Sequence, residues 1–253
     1  QGRSTIAMLD VLDIPHWYLG ADDHPLPLLE TAWQEMHSRG TAVAVLVSKG
    51  TMGKAANKPA AIASRRTHSL TREAALGKII DLTNPADALI ATTGKAAREL
   101  FELRGVRQQP IEDFLTVGGM GHAASIALGV ARIQPNRRVI CLDGDGALLM
   151  HMGGMAIIGT QGAPNFVHIL LNNESHESVG GQPTVAGQID FRSIALACGY
   201  KAYHHAADEQ ALSDVWSKIS RHAGPVLLEI ALKRGARSNL GRPTLTPEEN
   251  KVG

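Results

Sequence analysis

From residue 71 onward the sequence alternates between short apolar runs and longer amphipathic stretches. The apolar runs have the length of buried strands, and the stretches between them have the spacing of helices that cover a core. The predicted strands are 88–91, 139–142, 166–171 and 226–231, and the predicted helices are 96–103, 123–133, 148–159, 189–197 and 209–222. Strands separated by helices predict an α/β fold with a doubly wound, mostly parallel sheet.

Polar residues follow two successive predicted strands at the points where they end. Gly144-Asp145-Gly146 closes one strand and Asn172-Asn173 closes the next, with 25 residues between Gly146 and Asn172. Ligands of doubly wound sheets bind at the carboxyl ends of strands, where this carboxylate and amide would meet. Mg²⁺ takes a few protein oxygens and completes its shell with phosphate and water, so the corner predicts a bound diphosphate. Alone, an aspartate between glycines is more often a turn.

The Gly-Asp-Gly and Asn-Asn spacing resembles the cofactor signature of thiamine-diphosphate enzymes. Within that superfamily the segment LNNESHESVGGQPT, residues 171–184, resembles the phosphonopyruvate decarboxylases, and the resemblance runs from about residue 71 to 234. It implies the thiamine-diphosphate-binding fold, with thiamine diphosphate and Mg²⁺ as cofactors. The implied metal ligands are the side chains of Asp145 and Asn173 and the backbone carbonyl of Ser175, while Gly144 and Gly146 also contact the cofactor.

The segment Thr92-Thr93-Gly94-Lys95 leads from a predicted strand into a helix. Free N–H groups at a helix start, together with hydroxyls and a lysine, can hold a phosphate. The matching family segment contacts the cofactor diphosphate, which implies this role for Thr93, Gly94 and Lys95. An ordinary turn with a solvated lysine is the alternative.

Val117-Gly118-Gly119-Met120-Gly121 precedes a helix rich in Ala and Gly. A methionine in this setting is ordinarily a core residue. The resemblance implies instead that Met120 supports the bent cofactor and that the carbonyl of Gly118 accepts a hydrogen bond from its pyrimidine amine. Glycine lets the backbone approach a flat ligand closely, and methionine fills an irregular gap with a polarizable side chain.

No catalytic residue of this chain is certain, and the candidates are His122, His176 and Gln182. His176 and Gln182 belong to a glycine-rich loop that could close over a substrate, although a surface loop with an incidental histidine fits equally well. His122 adjoins the predicted cofactor support, with a structural histidine slightly favoured. Arg98 could face an anionic substrate, but helix arginines are more often solvated or paired.

The residues before 70 predict a separate unit. Residues 26–39 predict a helix and 41–48 a buried strand, followed by a linker at 53–69 that is expected to be mobile or a surface tether. The resemblance implies that 1–52 is the C-terminal part of a pyrimidine-binding domain and that 70–253 binds the diphosphate and Mg²⁺. A partner polypeptide would then supply the rest of the first domain in a hetero-oligomer. The activating glutamate is expected from that partner, since Glu30 and Glu35 lie on a peripheral helix.

Composition and sequence pattern argue against several classes of protein function. A net charge of +1 and 4% aromatic residues give neither a broad basic field nor many stacking platforms for nucleic acid. No run of about 18 apolar residues occurs and the start lacks a signal-peptide core, so no membrane or export role is expected. Cys141 and Cys198 are expected to be buried thiols in a cytosolic protein rather than a disulfide or metal site. A nucleotide-binding protein is disfavoured because a full phosphate loop and GxGxxG are missing.

The resemblance implies decarboxylation of 3-phosphonopyruvate to phosphonoacetaldehyde and CO₂, with the thiazolium ring storing the electron pair that CO₂ leaves behind. Two alternatives stay open. One is a decarboxylase of sulfopyruvate or another anionic 2-oxo acid. The other is a noncatalytic, cofactor-holding subunit, against which the predicted metal corner argues.

Overall fold

The computed structural model describes residues 4–53, 68–110, 112–220 and 222–244. The chain divides into two compact units, residues 1–61 and 62–253. The predicted linker at 53–69 lies almost entirely outside the described residues, so its character stays a prediction, as does the assignment of the first unit to a pyrimidine-binding domain. No described helix combines the length and the apolar character needed to cross a bilayer.

The first unit is a small α/β arrangement of α1 (Thr5–Val11), β1 (His16–Leu19), α2 (Pro25–Arg39) and β2 (Ala44–Val47). Helix α2 has Pro25 at its first position and ends at Gly40, whose φ of 59° is left-handed. Strands β1 and β2 pair in parallel as a two-stranded sheet. The predicted buried strand is therefore wrong in part: β2 is shorter and half-buried to exposed, because it has one neighbouring strand.

The second unit begins with helix α3, which the sequence reading missed. Its helices are α3 (Arg72–Leu82), α4 (Lys95–Val106), α5 (Ala123–Ile133), α6 (Asp145–Met150), α7 (Gly154–Gln161), α8 (Phe191–Ala197) and α9 (Glu209–Ile219). Its strands are β3 (Ala88–Ala91), β4 (Phe114–Leu115), β5 (Val139–Gly144), β6 (Phe166–Asn172), β7 (Ser175–His176), β8 (Gln182–Pro183), β9 (Ala202–Ala206) and β10 (Val226–Ala231).

Six of these strands form one sheet in the order β4-β3-β5-β6-β10-β9, and every pairing in it is parallel. The predicted doubly wound α/β fold is confirmed. The chain passes from β3 outward to β4 and then returns to β5 on the other side of β3, so the strand order reverses there. In open α/β sheets, ligands bind in the crevice at the carboxyl ends beside such a reversal.

Two apolar cores lie on the two faces of the sheet. Alternate residues of β5 point to opposite faces: Ile140 and Leu142 pack in the core under α3, α4 and α9, while Val139 and Cys141 pack in the core under α5, α7 and α8. Strands buried on both faces are continuous apolar runs. This explains why the sequence predicted β3, β5, β6 and β10 within two residues of their bounds.

The predicted helix at 148–159 is wrong as a single element. Helix α6 begins directly at Asp145 and ends at Met150, and α7 starts again at Gly154. The break coincides with Gly153 and Gly154, which have low helix propensity. The early start of α6 places Asp145 in the first turn of a helix at the end of β5.

Candidate active site

The loops after β5 and β6 lie side by side. The two strands pair in parallel with Gly144 opposite Leu171, so Asp145 and Asn173 leave the same edge of the sheet. The backbone N–H of Asn173 donates a hydrogen bond to the Asp145 carboxylate. The juxtaposition predicted from the 25-residue spacing is therefore present in the fold.

Asp145 is a buried carboxylate, with 2% of the residue exposed. Thr184 Oγ1 donates to its Oδ2 at 2.5 Å. Burial raises the pKa of the Asp145 carboxyl above its ordinary value, although the hydrogen bonds from Thr184 and Asn173 act in the opposite direction. No lysine or arginine among the described residues forms an ion pair with Asp145. A buried carboxylate without a counter-charge is destabilising unless a cation joins it.

Asn173 supplies the second polar group of this corner. The residue is 4% exposed, its Oδ1 accepts from the N–H of Ser175 at 3.2 Å, and its Nδ2 is buried without a hydrogen-bond partner in the described part of the chain. A half-turn of the amide would bring its oxygen to the unpaired position and would give up the bond from the Ser175 N–H. An unpaired amide beside an uncompensated carboxylate fits an all-oxygen cation site.

The loop that follows β6 is held in a strained conformation. Glu174, between Asn173 and Ser175, has a φ of 55°, which is uncommon outside glycine. Asn172 anchors the loop: its Oδ1 accepts from the Glu174 N–H at 3.2 Å and its Nδ2 donates to Glu229 on β10 at 2.8 Å. Strained backbone that the surroundings hold in place clusters at functional sites. Asn172 thus fixes the loop through both ends of its amide.

A cavity of about 490 Å³ opens at this edge of the sheet. It brings together most of the predicted cofactor and metal residues, which are Thr93, Lys95, Met120, Gly144, Asp145, Gly146, Asn173 and Ser175, and the catalytic candidate His176. Gly94 borders it, because a side chain there would collide with the Ser178 hydroxyl on the opposite wall. Gly118 follows β4 with a left-handed φ of 68°.

Position 146 must be glycine because the imidazole of the catalytic candidate His176 packs against it. A Cβ at Gly146 would lie 2.5 Å from Nδ1 of His176, so the imidazole packs directly on the glycine backbone. His176, on β7, is thereby held in the cavity wall beside Asp145. Any larger residue at 146 would displace this ring.

The other two catalytic candidates do not line this cavity. His122 is exposed, its Nδ1 lies 3.1 Å from the Gly119 carbonyl and its ring lies 4.2 Å from that of His151. Gln182 is exposed on β8, which pairs with β7 so that Gln182 lies opposite His176. Their catalytic roles remain predictions that the cavity does not support.

Residues 92–230, more than half of the chain, match the family model described as Thiamine pyrophosphate enzyme, C-terminal TPP binding domain. The chain belongs to the thiamine pyrophosphate enzyme family. The matched span contains all of the cavity residues named above. Thiamine diphosphate is accordingly the cofactor of this fold, as expected from the sequence.

Two relatives within the thiamine pyrophosphate enzyme family carry the names of specific decarboxylases. The phosphonopyruvate decarboxylase of Streptomyces viridochromogenes is 40% identical over 179 residues, which are 71% of this chain and 44% of that protein. The sulfopyruvate decarboxylase subunit beta of Methanothermobacter thermautotrophicus is 35% identical over 152 residues, 59% of this chain and 75% of the relative. The chain thus spans less than half the length of the phosphonopyruvate decarboxylases it matches. The resemblance inferred from the sequence is confirmed.

A solved structure supports the fold. It is described as a thiamin diphosphate-dependent enzyme isolated from Mycobacterium smegmatis, and it superposes with a TM-score of 0.53 at 20% sequence identity. The alignment covers 66% of this chain and 32% of that one. At 20% identity the likeness shows that this chain has the same fold, and it gives no information about the substrate.

The sequence reading missed a buried ionic network beside the cofactor cavity of this family member. Arg72 on α3 donates to both carboxylate oxygens of Glu99 on α4, at 2.7 and 3.0 Å, and to Glu177 at 2.9 Å. Burial lowers the pKa of Arg72, but the hydrogen bonds and charges of Glu99 and Glu177 outweigh it, so the net shift is upward. Glu177 also accepts from the Gly235 N–H. The network therefore ties two helices to the loop that carries the predicted metal ligands.

The sequence left open whether Arg98 faces a substrate or pairs within the chain, and the structure shows that it pairs. Its guanidinium donates to the backbone carbonyls of Leu240 and Gly241, which lie near the end of the described chain. It therefore holds the C-terminal segment against α4. Lys95, by contrast, forms no ion pair with the residues described.

A second polar cluster lies inside the sheet under the active-site edge. Among the described residues, ligand atoms of Cys141, Asp143 and His168 lie within 4.8 Å of one another. Burial, and next the charge of Asp143, raise the pKa of the Cys141 thiol well above its ordinary value. A protonated thiol is a poor metal ligand, in keeping with the expected structural role. Cys198 was expected to be buried but is half-buried, because it caps the end of α8.

The Asp145 carboxyl should make stability depend on pH. Its pKa is higher in the folded chain than in the unfolded chain, so the folded state binds more protons between the two values and stability falls as the pH rises through that window. In the cofactor-free protein, Asp145→Asn should raise the melting temperature at neutral pH by roughly 2–4 °C, the shift that about 1 kcal/mol produces in a chain of this size. Calorimetry between acid and neutral pH measures it.

The gain should vanish below the ordinary carboxyl pKa, since Asp145 is then protonated in both states. Asp190→Asn is the control, because Asp190 is exposed and hydrogen bonds from Ser193 lower its pKa. That variant should give no stabilisation at neutral pH. An Asp145→Asn protein that melts at or below the wild-type temperature at neutral pH would contradict the assignment.

Proposed function

We propose that the chain is the diphosphate- and Mg²⁺-binding part of a thiamine-diphosphate-dependent decarboxylase that converts 3-phosphonopyruvate into phosphonoacetaldehyde and CO₂. The observation that carries the proposal is the adjacent Asp145–Asn173 corner in a chain 40% identical, over 71% of its length, to a phosphonopyruvate decarboxylase. The two free thiols, Cys141 and Cys198, support a reducing, cytosolic setting.

The residues of the corner fit the metal chemistry. Side-chain oxygens of Asp145 and Asn173 and the backbone carbonyl of Ser175 would hold Mg²⁺, which prefers oxygen ligands and shares its shell with a diphosphate. The buried, uncompensated carboxylate and the unpaired amide are the observations that favour a cation. Thr184 would keep the Asp145 carboxylate oriented through its 2.5 Å hydrogen bond.

The other cavity residues would bind the rest of the cofactor. Lys95 and the N–H groups at the start of α4 would face the diphosphate, where the helix dipole favours an anion. Met120 in the cavity wall would support the rings, and the carbonyl of Gly118 would accept from the pyrimidine amine. When bound, the thiazolium ring supplies the electron sink that side chains lack. His176 would lie in the cavity wall beside the metal corner.

The activating glutamate would come from a partner subunit with a pyrimidine-binding domain. Within the described part of the first unit, Leu19 and Ala32 are buried, whereas Met8, Val11, Leu12, Leu26 and Trp33 are more than half exposed. This apolar surface favours a covering polypeptide. Glu30 is exposed and Glu35 pairs with Arg39 at 3.5 Å on the same helix, so neither is presented as a catalytic base. A relative named as a beta subunit supports a multi-subunit enzyme.

Co-expression tests the proposal. The chain is expressed with and without a reading frame that resembles a pyrimidine-binding domain, and aldehyde release from 3-phosphonopyruvate is followed by coupled assay. We expect turnover only in the pair, and only with both thiamine diphosphate and Mg²⁺ present. Turnover by the isolated chain would refute the need for a partner, and turnover after chelation of Mg²⁺ would refute the metal.

Decarboxylation of sulfopyruvate is the second candidate. It is favoured by the 35% identity to a sulfopyruvate decarboxylase subunit beta, of which this chain covers 75%. The reconstituted pair should be given both substrates under identical conditions. Equal or faster release of the sulfonated aldehyde would overturn the phosphonate assignment.

A further inference from the structure

A second cavity adjoins the cofactor cavity on the outer side of α4. Its volume is about 990 Å³, and both cavities have Thr93, Lys95 and Ser178 in their walls. Val117, next to the Gly118 expected at the pyrimidine ring, also lines it. A small molecule in the second cavity would therefore lie directly beside a cofactor bound in the first.

The charged residues that line this cavity are all cationic. They are Lys95, Arg98 and Arg242, and no aspartate or glutamate of the described chain accompanies them. Arg98 donates to the carbonyls of Leu240 and Gly241, which are neutral and leave its charge uncompensated. None of the three cations forms an ion pair with the residues described. A cofactor diphosphate would compensate Lys95, so Arg98 and Arg242 would leave two positive charges at the cavity. Such a pair favours an anionic ligand.

The segment that carries Arg242 is fixed to the helices behind it. Arg98 holds the carbonyls of residues 240 and 241, and Glu102 accepts from the Gly241 N–H. Arg237 in the same segment pairs with Glu73 on α3 at 2.9 Å. The backbone next to Arg242 is thus held on three sides, which reduces the entropy lost when its guanidinium binds an anion.

We propose that this second cavity binds the phosphonate group of the substrate, with Arg242 and Arg98 as its cationic partners. The inference rests on the proposed function and names the specificity residues of that site. The carboxylate of 3-phosphonopyruvate leaves as CO₂, whereas the phosphonate stays, so contacts at that end can position the keto carbon throughout the reaction. Two cations match a group that carries a second negative charge near neutral pH, which a sulfonate lacks.

Methylphosphonate binding tests the site without requiring turnover. The full chain, saturated with thiamine diphosphate and Mg²⁺ so that the diphosphate site is filled, is titrated with methylphosphonate by calorimetry. Arg242→Ala should weaken binding about tenfold or more, since one charged hydrogen-bonding partner is lost. Arg242→Lys should retain part of the affinity. Arg192→Ala, an exposed arginine on α8 that lines neither cavity, should bind as the wild type does.

Unchanged methylphosphonate binding in Arg242→Ala, or equal binding of methanesulfonate by the wild type, would overturn the inference. In the reconstituted pair, Arg242→Ala should raise KM for 3-phosphonopyruvate while the affinity for thiamine diphosphate stays constant. If binding depends on Arg242 but the pair does not decarboxylate 3-phosphonopyruvate, the proposed function fails and the anion site stands. If the pair decarboxylates 3-phosphonopyruvate but methylphosphonate binding does not depend on Arg242, the anion site fails and the proposed function stands.

Discussion

Asp145→Ala should lower decarboxylation by the reconstituted pair by at least about a thousandfold. The substitution removes the charged ligand of the predicted metal corner, and metal contacts stabilise bound anions by several kcal/mol, where each 1.36 kcal/mol is a factor of ten. The same variant should lose Mg²⁺-dependent binding of thiamine diphosphate, measured by calorimetry on the chain alone. Its fold should persist, because a buried charge without a counter-charge is removed.

Thr184→Val is the matched control for Asp145→Ala. Valine has the shape of threonine and removes only the hydroxyl that donates to Asp145. The carboxylate remains, so activity should fall by roughly 10–100-fold, the usual effect of losing a group that orients a metal ligand. Full activity of Asp145→Ala would refute the metal corner and favour a noncatalytic, cofactor-holding subunit instead.

Arg72→Met should destabilise the chain by about 3–5 kcal/mol, the usual effect of removing one partner from a buried ion pair. The side chains of Arg72 and Glu99 are 8% and 1% exposed, and Glu177 is equally buried at 8%. Two carboxylates would be left without their cation. For a chain of this length the melting temperature should fall by roughly 6–20 °C, measured by calorimetry and checked by urea unfolding.

Arg107→Ala is the control for this prediction, since Arg107 joins the same two helices through Asp81 at the surface, where the side chains are 28% and 58% exposed. An exposed ion pair contributes at most about 1 kcal/mol. Adding Glu99→Leu to Arg72→Met should recover part of the loss, because one of the two stranded carboxylates is then absent. Equal effects of Arg72→Met and Arg107→Ala would contradict the importance of the buried network.

The sheet could be predicted from the sequence wherever burial on both faces leaves an uninterrupted apolar run. Strand β6, FVHILLN, is buried throughout and was found within one residue. Strand β9, AYHHA, was missed because it lies at the edge of the sheet, is only half-buried and carries two histidines. Helix α3 was missed although Thr71 caps it by accepting from the Ala74 N–H. Its start lies just after the predicted linker at 53–69, whose sequence has no apolar periodicity.

The juxtaposition of Asp145 and Asn173 was predictable because both residues stand at ends of strands that are neighbours in sequence and in the sheet. One helical crossover separates Gly144 from Asn172, so the topology alone brings them together. Arg72 has no such signal: its partners Glu99 and Glu177 are 27 and 105 residues away, and only packing of α3 on α4 decides the contact. Arg242, in the wall of the second cavity, likewise had no signal in the sequence, because its segment shows neither helical nor strand periodicity.

The strand order has a consequence for synthesis of the protein. Strand β10 is made after β9 yet lies between β6 and β9, so β9 has no neighbour in the sheet until β10 enters. Glu229 on β10 is also the residue that receives the Asn172 amide. A ribosome-bound chain from which β10 has not yet emerged can pair β5 with β6. Its Asn172 still lacks the Glu229 carboxylate that holds the loop after β6 in the folded protein. Unfinished polypeptides should therefore leave this loop unfixed until the last strand of the sheet is in place.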